Sequence, residues 1–468
     1  MVTSMKRDIA CFALLALLPA CGGTTVEGGE GNGNQNGPAN HPASHWSGKG
    51  FVVHEWGTNT IVVGSDGSLQ RGLHHEEEDL PGFVYDRMKA GLLEGSASVE
   101  VKMETPVTYF YSDVPRSVSV AVDFPRGVFT QWFPAAKSFY PFIAAQNSAP
   151  GLVPAGDPVL DVDFPFGSKT CAEKYGLIAN GLLDWGSVEV LARGADVEQA
   201  MPPASLEQFT WSHARAVDAN AVRLQGVPGA MTTPETERFL FYRGLGNFEL
   251  PVKVLADREG LYPNDGGSVR VTNADPTNRV GAVFVLLVNE TGGAFRVTPE
   301  GIAPSGTIHP EPMLTLQPLD QYKKALGEAM VAELDKTGLY HDEAQAMVAT
   351  WQRQWFTTPG VRVLYLAPQA WTDAQIPLTI SPTPDETKRA MVIRVEVITP
   401  TEEDSDRSEV EFLDDPGQHD AVVQHFLSLG RFAEPRLRRA IQLSGPSTSA
   451  QALLSQIASA NTAVASGE

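Results

Sequence analysis

Residues 116 to 124, RSVSVAVDF, set Val118, Val120 and Val122 against Ser117, Ser119 and Ala121. That period of two predicts a strand with one buried face. FVVHEWGTNTIVV, residues 51 to 63, runs to Asp66-Gly67 and predicts a strand entering a tight hairpin. GAVFVLLVN, residues 281 to 289, is apolar throughout and predicts a strand covered on both faces. Many such short runs, separated by Gly, Pro and Asn, predict packed sheets of the β-sandwich kind. A parallel α/β fold is disfavoured, because no helical pattern alternates with these strands.

The period lengthens after about residue 315. Leu319, Tyr322, Leu326 and Met330 fall at helical spacing, with Gly338 as a stop. Asp342 with Gln345 resembles a capping box, and Ala344, Met347, Val348, Trp351 and Trp355 follow as one apolar stripe. This predicts a helical hairpin closed by Pro359-Gly360. Strands follow at VRVLYLA and RAMVIRVEVI, the second burying Met391, Ile393, Val395 and Val397, and residues 419 to 443 look helical again. The fold class expected is mainly β, with sandwich-like packed sheets, followed by a smaller α+β portion.

The start of the chain adds a location. Lys6 and Arg7 precede an apolar run from Ile9 to Leu18, too short to span a bilayer as a helix, so residues 1 to 20 read as a secretion signal. Leu18-Pro19-Ala20-Cys21 looks like a bacterial lipobox, which implies acyl chains on Cys21 and stable retention on a membrane. Gly22, where Asp would mark retention, resembles lipoproteins sorted to the outer membrane. Residues 21 to 48 are rich in Gly, Asn and Ser and read as a linker. A β-rich domain over 49–312, an α+β domain over 313–445 and a loosely attached tail over 446–468 complete the expected organisation.

Charge narrows the function classes. A net charge of −21 and a pI near 4.9 supply no positive surface for a phosphate backbone, which excludes nucleic acid as a partner. Beyond the signal and Cys21, Cys171 stands alone, so no internal disulfide forms. No His-Glu-x-x-His, Gly-x-Ser-x-Gly, Cys-x-x-Cys, Walker or EF-hand pattern is present.

Two stretches hold candidate chemistry. In an extended VHEWGT strand, Val52, His54 and Trp56 share one face and Phe51, Val53 and Glu55 the other. A buried His54 or Glu55 must be paired, either as a structural contact holding the strand in register or as a direct metal ligand. In GLHHEEEDLP, residues 72 to 81, the carboxylates of Glu76, Glu77, Glu78 and Asp79 need a cation among them. Arg71, Arg87, Lys89, a divalent ion or solvent could supply it. A helix would join His74, Glu77 and Glu78 on one face, as a Zn or Mn site requires; an extended chain would align His74, Glu76 and Glu78. Pro81 favours a loop leading into a helix over 81–90, whose dipole would favour the acidic run. Residues 402 to 409, EEDSDRSE, read as a surface loop or a weak calcium site. Arg431, Arg436, Arg438 and Arg439 read as partners of acidic neighbours or as a contact surface. Tryptophans exposed on a sheet would suggest sugar or peptide binding.

VHEWGT, GLHHEEEDLPGFVYDR, METPVTYFY, FLFYRGLG, and AMVATW with RVEVITP after it, resemble phrases of secreted lipoproteins of the kind found in myxobacteria and planctomycetes. The resemblance spans most of the body from residue 53 to residue 400 and implies a shared fold; it brings no activity. The chain reads as a lipid-anchored envelope protein, facing the periplasm or cell surface, that acts as a scaffold or binding module for a polymer or protein partner. The alternative is a metal-dependent hydrolase holding Zn or Mn through His54, Glu55, His74, His75, Glu77 and Glu78.

Overall fold

FVVHEWGTNTIVV forms β1 (Phe51–Val63), buried at all 13 positions. Only a central strand covered on both faces can be so. The chain continues through β2 (Tyr85–Asp86), β3 (Val101–Ser112), β4 (Arg116–Phe124), β5 (Gly127–Phe133), β6 (Ser138–Tyr140), β7 (Gly181–Val190) and α1 (Phe209–Arg215). Eight strands follow: β8 (Val222–Leu224), β9 (Glu235–Glu237), β10 (Leu240–Gly246), β11 (Val252–Ala256), β12 (Val269–Asn273), β13 (Val283–Asn289), β14 (Gly292–Thr298) and β15 (Thr307–Ile308). The remainder is α2 (Leu319–Asp335), α3 (His341–Thr357), β16 (Gly360–Leu366), α4 (Gln369–Gln375), β17 (Leu378–Ser381), β18 (Glu386–Val397) and four helices, α5 (Pro400–Glu411), α6 (His419–Ser428), α7 (Ala433–Ser444) and α8 (Thr448–Ser466).

This computed structural model describes residues 45 to 466, except 74–75, 77, 87–98, 141–179, 226–232, 258–268, 312 and 314. Cys21, His74, His75, Glu77 and Cys171 therefore lie outside the described residues.

Nine strands form the large sheet, in the order β14-β13-β16-β18-β1-β3-β10-β5-β2. β1 and β18 are parallel from Val52↔Glu386 to Val63↔Val397, and the other pairs described in this sheet are antiparallel. A three-stranded sheet (β11-β12-β15) and a six-stranded one (β17-β4-β7-β8-β9, with β6 on β7) complete the set among the described residues. Phe51, Val53, Met391 and Ile393 of the large sheet pack with Val118, Val120 and Val122 of β4 and with Val254 and Val271 of the small sheet. The opposite face carries Val52, Trp56 and Val392 under Tyr322, Leu326, Trp351 and Trp355 of the α2–α3 hairpin. Each such buried side chain contributes roughly 1.5–3 kcal/mol. The architecture is mainly β with packed sheets and a helical hairpin, as the patterning predicts, and β13 is covered on both faces.

Several boundaries differ from expectation. Residue 312 divides no compact unit: Pro42–Glu468 form one by their contacts, because β16 and β18 enter the middle of the large sheet beside β1. The stretch before residue 49 already packs from Trp46, which is 6% exposed and lies 6.1 Å from the Tyr111 ring. The tail forms α8, whose Ala450, Leu453 and Ile457 are buried with Leu437 and Phe426. Apolar side chains at helical spacing outweigh its Ala/Ser composition.

The expected helix over 81–90 is a turn, with Val84 N–H donating to Pro81 O at 3.0 Å, and then strand β2; residues from 87 to 90 lie outside the described set. The cap of α3 uses Glu343, not Asp342 with Gln345: its carboxylate accepts from Tyr340 N at 2.6 Å. Residues 402–409 belong to α5, whose capping box is Thr399 with Glu402. The turn at Asp66-Gly67 forms, but the returning chain bridges β1 only at Val63↔Leu69, and the long antiparallel partner of β1 is β3.

The register of β1 against β3 shifts between Trp56 and Thr58. A Cβ on Gly57 would stand 2.9 Å from Pro106 Cα, which is backbone and cannot yield. Gly57→Ala is therefore expected to lower stability by about 1–3 kcal/mol in urea denaturation, as overpacking does. Gly82→Ala, with nothing within 4 Å of the new Cβ, should leave the midpoint unchanged.

Candidate functional site

His54 and Glu55 are both buried, at 1% and 0% exposure, and they point to opposite faces of the sheet. His54 faces the helical hairpin, where its Nδ1 lies 2.7 Å from Glu343 Oε2. Glu343 also accepts from Tyr111 OH at 2.8 Å. Its place in the first turn of α3 favours negative charge through the helix dipole. Burial, reinforced by the charge on Glu343, pushes the Tyr111 hydroxyl well above its ordinary range, so it stays a donor.

Glu55 faces the sandwich interior. Its Oε2 accepts from Arg389 Nε at 2.7 Å, and its Oε1 from Tyr242 OH at 2.6 Å and Thr108 Oγ1 at 3.1 Å. Arg389 reaches on to Asp373 Oδ1 at 3.0 Å and Ile376 O at 2.7 Å. Burial works against its charge, but Glu55 outweighs it and holds the guanidinium above its usual range. With the sheet between them, His54 and Glu55 cannot hold one ion, and a centre using both is not formed.

The HHEEE run is divided as well. Glu76 accepts from Lys102 Nζ at 2.8 Å and Arg243 Nη1 at 2.6 Å. Glu78 turns elsewhere and accepts from Thr210 N at 3.0 Å at the start of α1. The preceding Gln208 makes no side-chain cap there, so Glu78 takes that role. Arg71, a sequence candidate for the run's cation, pairs instead with Glu100 at 3.1 Å. Among the described residues no three His, Cys, Asp or Glu side chains converge as a metal site.

From Glu76 the charge continues inward. Lys102 is 2% exposed, and neighbouring Glu104 accepts from Arg431 Nη1 at 2.8 Å and Thr60 Oγ1 at 2.8 Å. Burial would raise the Glu104 carboxyl, yet Arg431 and Lys102 hold it down at about 2. Burial lowers Lys102, against the pull of Glu76 and Glu104. Lys102 and Arg243, not the nearby Arg71, supply the charge opposite Glu76. The signal was there: each interrupts an apolar strand run, VKMET and FLFYRGLG, and a charge so placed requires an opposite charge.

The C-terminal arginines follow the same rule. Arg436 takes Asp406 and Glu402, Arg438 takes Glu434 at 2.6 Å, and Arg439 takes Glu403 at 2.6 Å. Glu402, Glu403 and Asp406 are thus neither a loop nor a calcium set but the acidic side of a helix contact. All eight tryptophans are buried, from 0% to 8% exposed, so none forms an exposed stacking platform.

A ligand-sized cleft opens at one end of the large sheet. Where β16 begins after α3 and β18 passes into α5, this cleft of about 300 Å³ lies among the link 358–361, the end of β18, α5 and the turn before α7, with Val62 of β1 beside them. Val62, Val397, Ile398 and Phe432 wall it, and Glu396, Glu402 and Arg436 stand on its polar side. Glu396 is fixed by Arg362 Nε at 3.0 Å and Arg394 Nε at 2.5 Å.

No family model and no curated protein matches the chain. Among solved structures, the yeast delta-COP-I mu-homology domain complexed with a Dsl1 WxWxV peptide aligns at a TM-score of 0.25 and 8% identity, over 74% of this chain and 98% of its own. The Fcho1 mu-homology domain from Danio rerio with bound Eps15 peptide aligns at 0.26 and 7%, over 75% and 98%. Likeness at this level carries no function to the chain.

Two outcomes test the assignment of these charges. Glu55→Gln should destabilise the protein by about 3–5 kcal/mol in urea, because Arg389 is left buried without its main counter-charge, and should leave its zinc and manganese content unchanged. Glu104 has its carboxyl held at about 2, below the ordinary 4.5, so its contribution is complete above pH 4.5 and is lost as pH falls toward 2. That loss, on the order of 3 kcal/mol, should be absent from the acid limb of the stability profile of Glu104→Gln.

Proposed function

We propose that the chain is a lipid-anchored protein of the bacterial cell envelope, held at the outer membrane through Cys21, whose β-rich body binds a partner and catalyses no reaction through the HEW and HHEEE stretches. The observation that carries this is the pairing of the residues with the most chemical promise. His54, Glu55, Glu76 and Glu78 each make their contacts to Glu343, Arg389, Lys102 and Thr210 within the fold. A hydrolytic centre needs an open ligand position and a base free to take a proton. The lipobox Leu18-Pro19-Ala20-Cys21 supports the anchoring part of the reading.

Expression in a bacterial host with radiolabelled palmitate tests the anchor. The wild type should carry label and sediment with the membranes, while Cys21→Ser should be unlabelled and appear in the soluble fraction. A wild-type protein without label, or a variant retained on membranes to the same extent, would overturn the anchoring.

A further inference from the structure

The four C-terminal helices have a core of their own. Ten buried apolar side chains from Val410 to Ile457, Phe426 of α6, Leu437 of α7 and Leu453 of α8 among them, form a cluster separate from the two that flank the large sheet. Polar contacts close within the same group. Arg436 Nη1 donates to Glu402 Oε1 at 2.8 Å, Arg438 Nη2 to Glu434 Oε1 at 2.6 Å, and His425 Nε2 lies 3.2 Å from Asp406 Oδ1. The chain enters this lobe at Ile398–Thr399, and none of the described residues after Val397 joins a sheet.

The junction of lobe and sheet is rich in charge. Among the described residues its buried apolar contact is small, consisting of Val62, Leu73 and Ile398 with Phe432. Beside it, Arg431 donates to Glu104 through Nη1 at 2.8 Å and Nη2 at 3.3 Å. Glu403 accepts from Ser65 N at 2.9 Å and Ser65 Oγ at 2.6 Å, and Arg439 Nη1 donates to Ser68 Oγ at 3.1 Å. A buried ion pair forms against the hydration that its members give up, so separating it restores that hydration to both. An apolar interface has no such return, because separation only brings its surface into water. Packing is also interrupted here. The cleft of about 300 Å³ lies along the junction, between Val62, Gly360 and Glu396 on the sheet side and Glu402, Ser428 and Phe432 on the lobe side. Atoms facing that space lack partners across it.

We propose that residues 400–466 are a separately opening unit: they leave the large sheet and lose their helices together, more readily than the sheet unfolds. Detachment and unfolding go together because a group of about 60 residues is marginal by itself. Opening breaks the Arg431–Glu104 and Ser65–Glu403 contacts and uncovers Glu104, Thr60 and the ends of β1 and β18, while the strands stay paired. Segments of low local stability are the ones that move when a protein engages a partner, which makes this lobe the movable part of the body. Opening depends on neither the anchoring at Cys21 nor the identity of a partner.

Amide hydrogen exchange of the full-length protein, read by mass spectrometry and corrected for intrinsic rates, tests it. The slowest amides of α6 and α7 should share one opening and exchange about tenfold or more faster than the slowest of β1 and β18. Val285→Ala cuts into the sheet core on β13, two strands from β18. It should speed exchange in β1 and β18 about tenfold and leave α6 and α7 unchanged, because opening of the lobe does not unfold β13. Arg431→Gln should speed α6 and α7 about tenfold or more, since Glu104 loses a counter-charge only while the lobe is docked. Equal protection of the lobe and of β1 in the wild type, equal acceleration of both by Val285→Ala, or unchanged lobe exchange in Arg431→Gln would each overturn the proposal. If a variant does not fold, the wild-type comparison decides alone.

Discussion

A charge enclosed between two covers of a sheet must meet its opposite there, because an isolated buried ion is far more costly than any single packing contact can offset. β1 is the strand on which this constraint falls hardest. Glu55 meets Arg389 across a separation of 334 positions in the chain, and His54 meets Glu343 on the reverse face. A slip of one residue would turn Glu55 toward the helices and His54 toward the sandwich, removing each from its partners. The parallel pairing of β1 with β18 and its register are thus bound to the charges they carry. The sheet's order follows, since β3 and β16 add to either side of that pair.

The same constraint shapes the C-terminal helices. α5 presents Glu402, Glu403 and Asp406, and α7 presents Arg436 and Arg439 against them. Arg431, just before α7, reaches past the helices to Glu104 on β3. These pairs fasten the bundle to the sheet at points where apolar contact is interrupted by charge. Several arginines are thereby held inside, Arg243, Arg362, Arg389, Arg394, Arg431 and Arg439 among them, while others such as Arg71 and Arg407 stay at the surface.

Much of the fold was legible as period. Val118, Val120 and Val122, the two-faced run at 281–289, and the stripe from Ala344 to Trp355 all stand where their spacing puts them, because side-chain direction in strands and helices is set by local backbone geometry. The opposed faces of His54 and Glu55 were legible for the same reason. Their partners were not: Glu343 and Arg389 lie hundreds of residues away. The acidic run misled more. Six adjacent polar side chains look like one site in a line of text, yet Glu76 goes to the buried lysine and arginine of two strands and Glu78 to the start of a short helix.

The sequence by itself determined the class of element at most positions, the two faces of each strand, and an N-terminus with the pattern of a lipid-modified secretion signal, because these depend on neighbours a few residues apart. Tertiary structure decided which strands lie side by side, why residue 312 separates nothing, and where the cleft opens. Those outcomes rest on contacts between distant segments: β18 closes against β1 only after more than 300 intervening residues. Whether a carboxylate is free to do chemistry was among them. Its answer depended on which cations folding placed beside it.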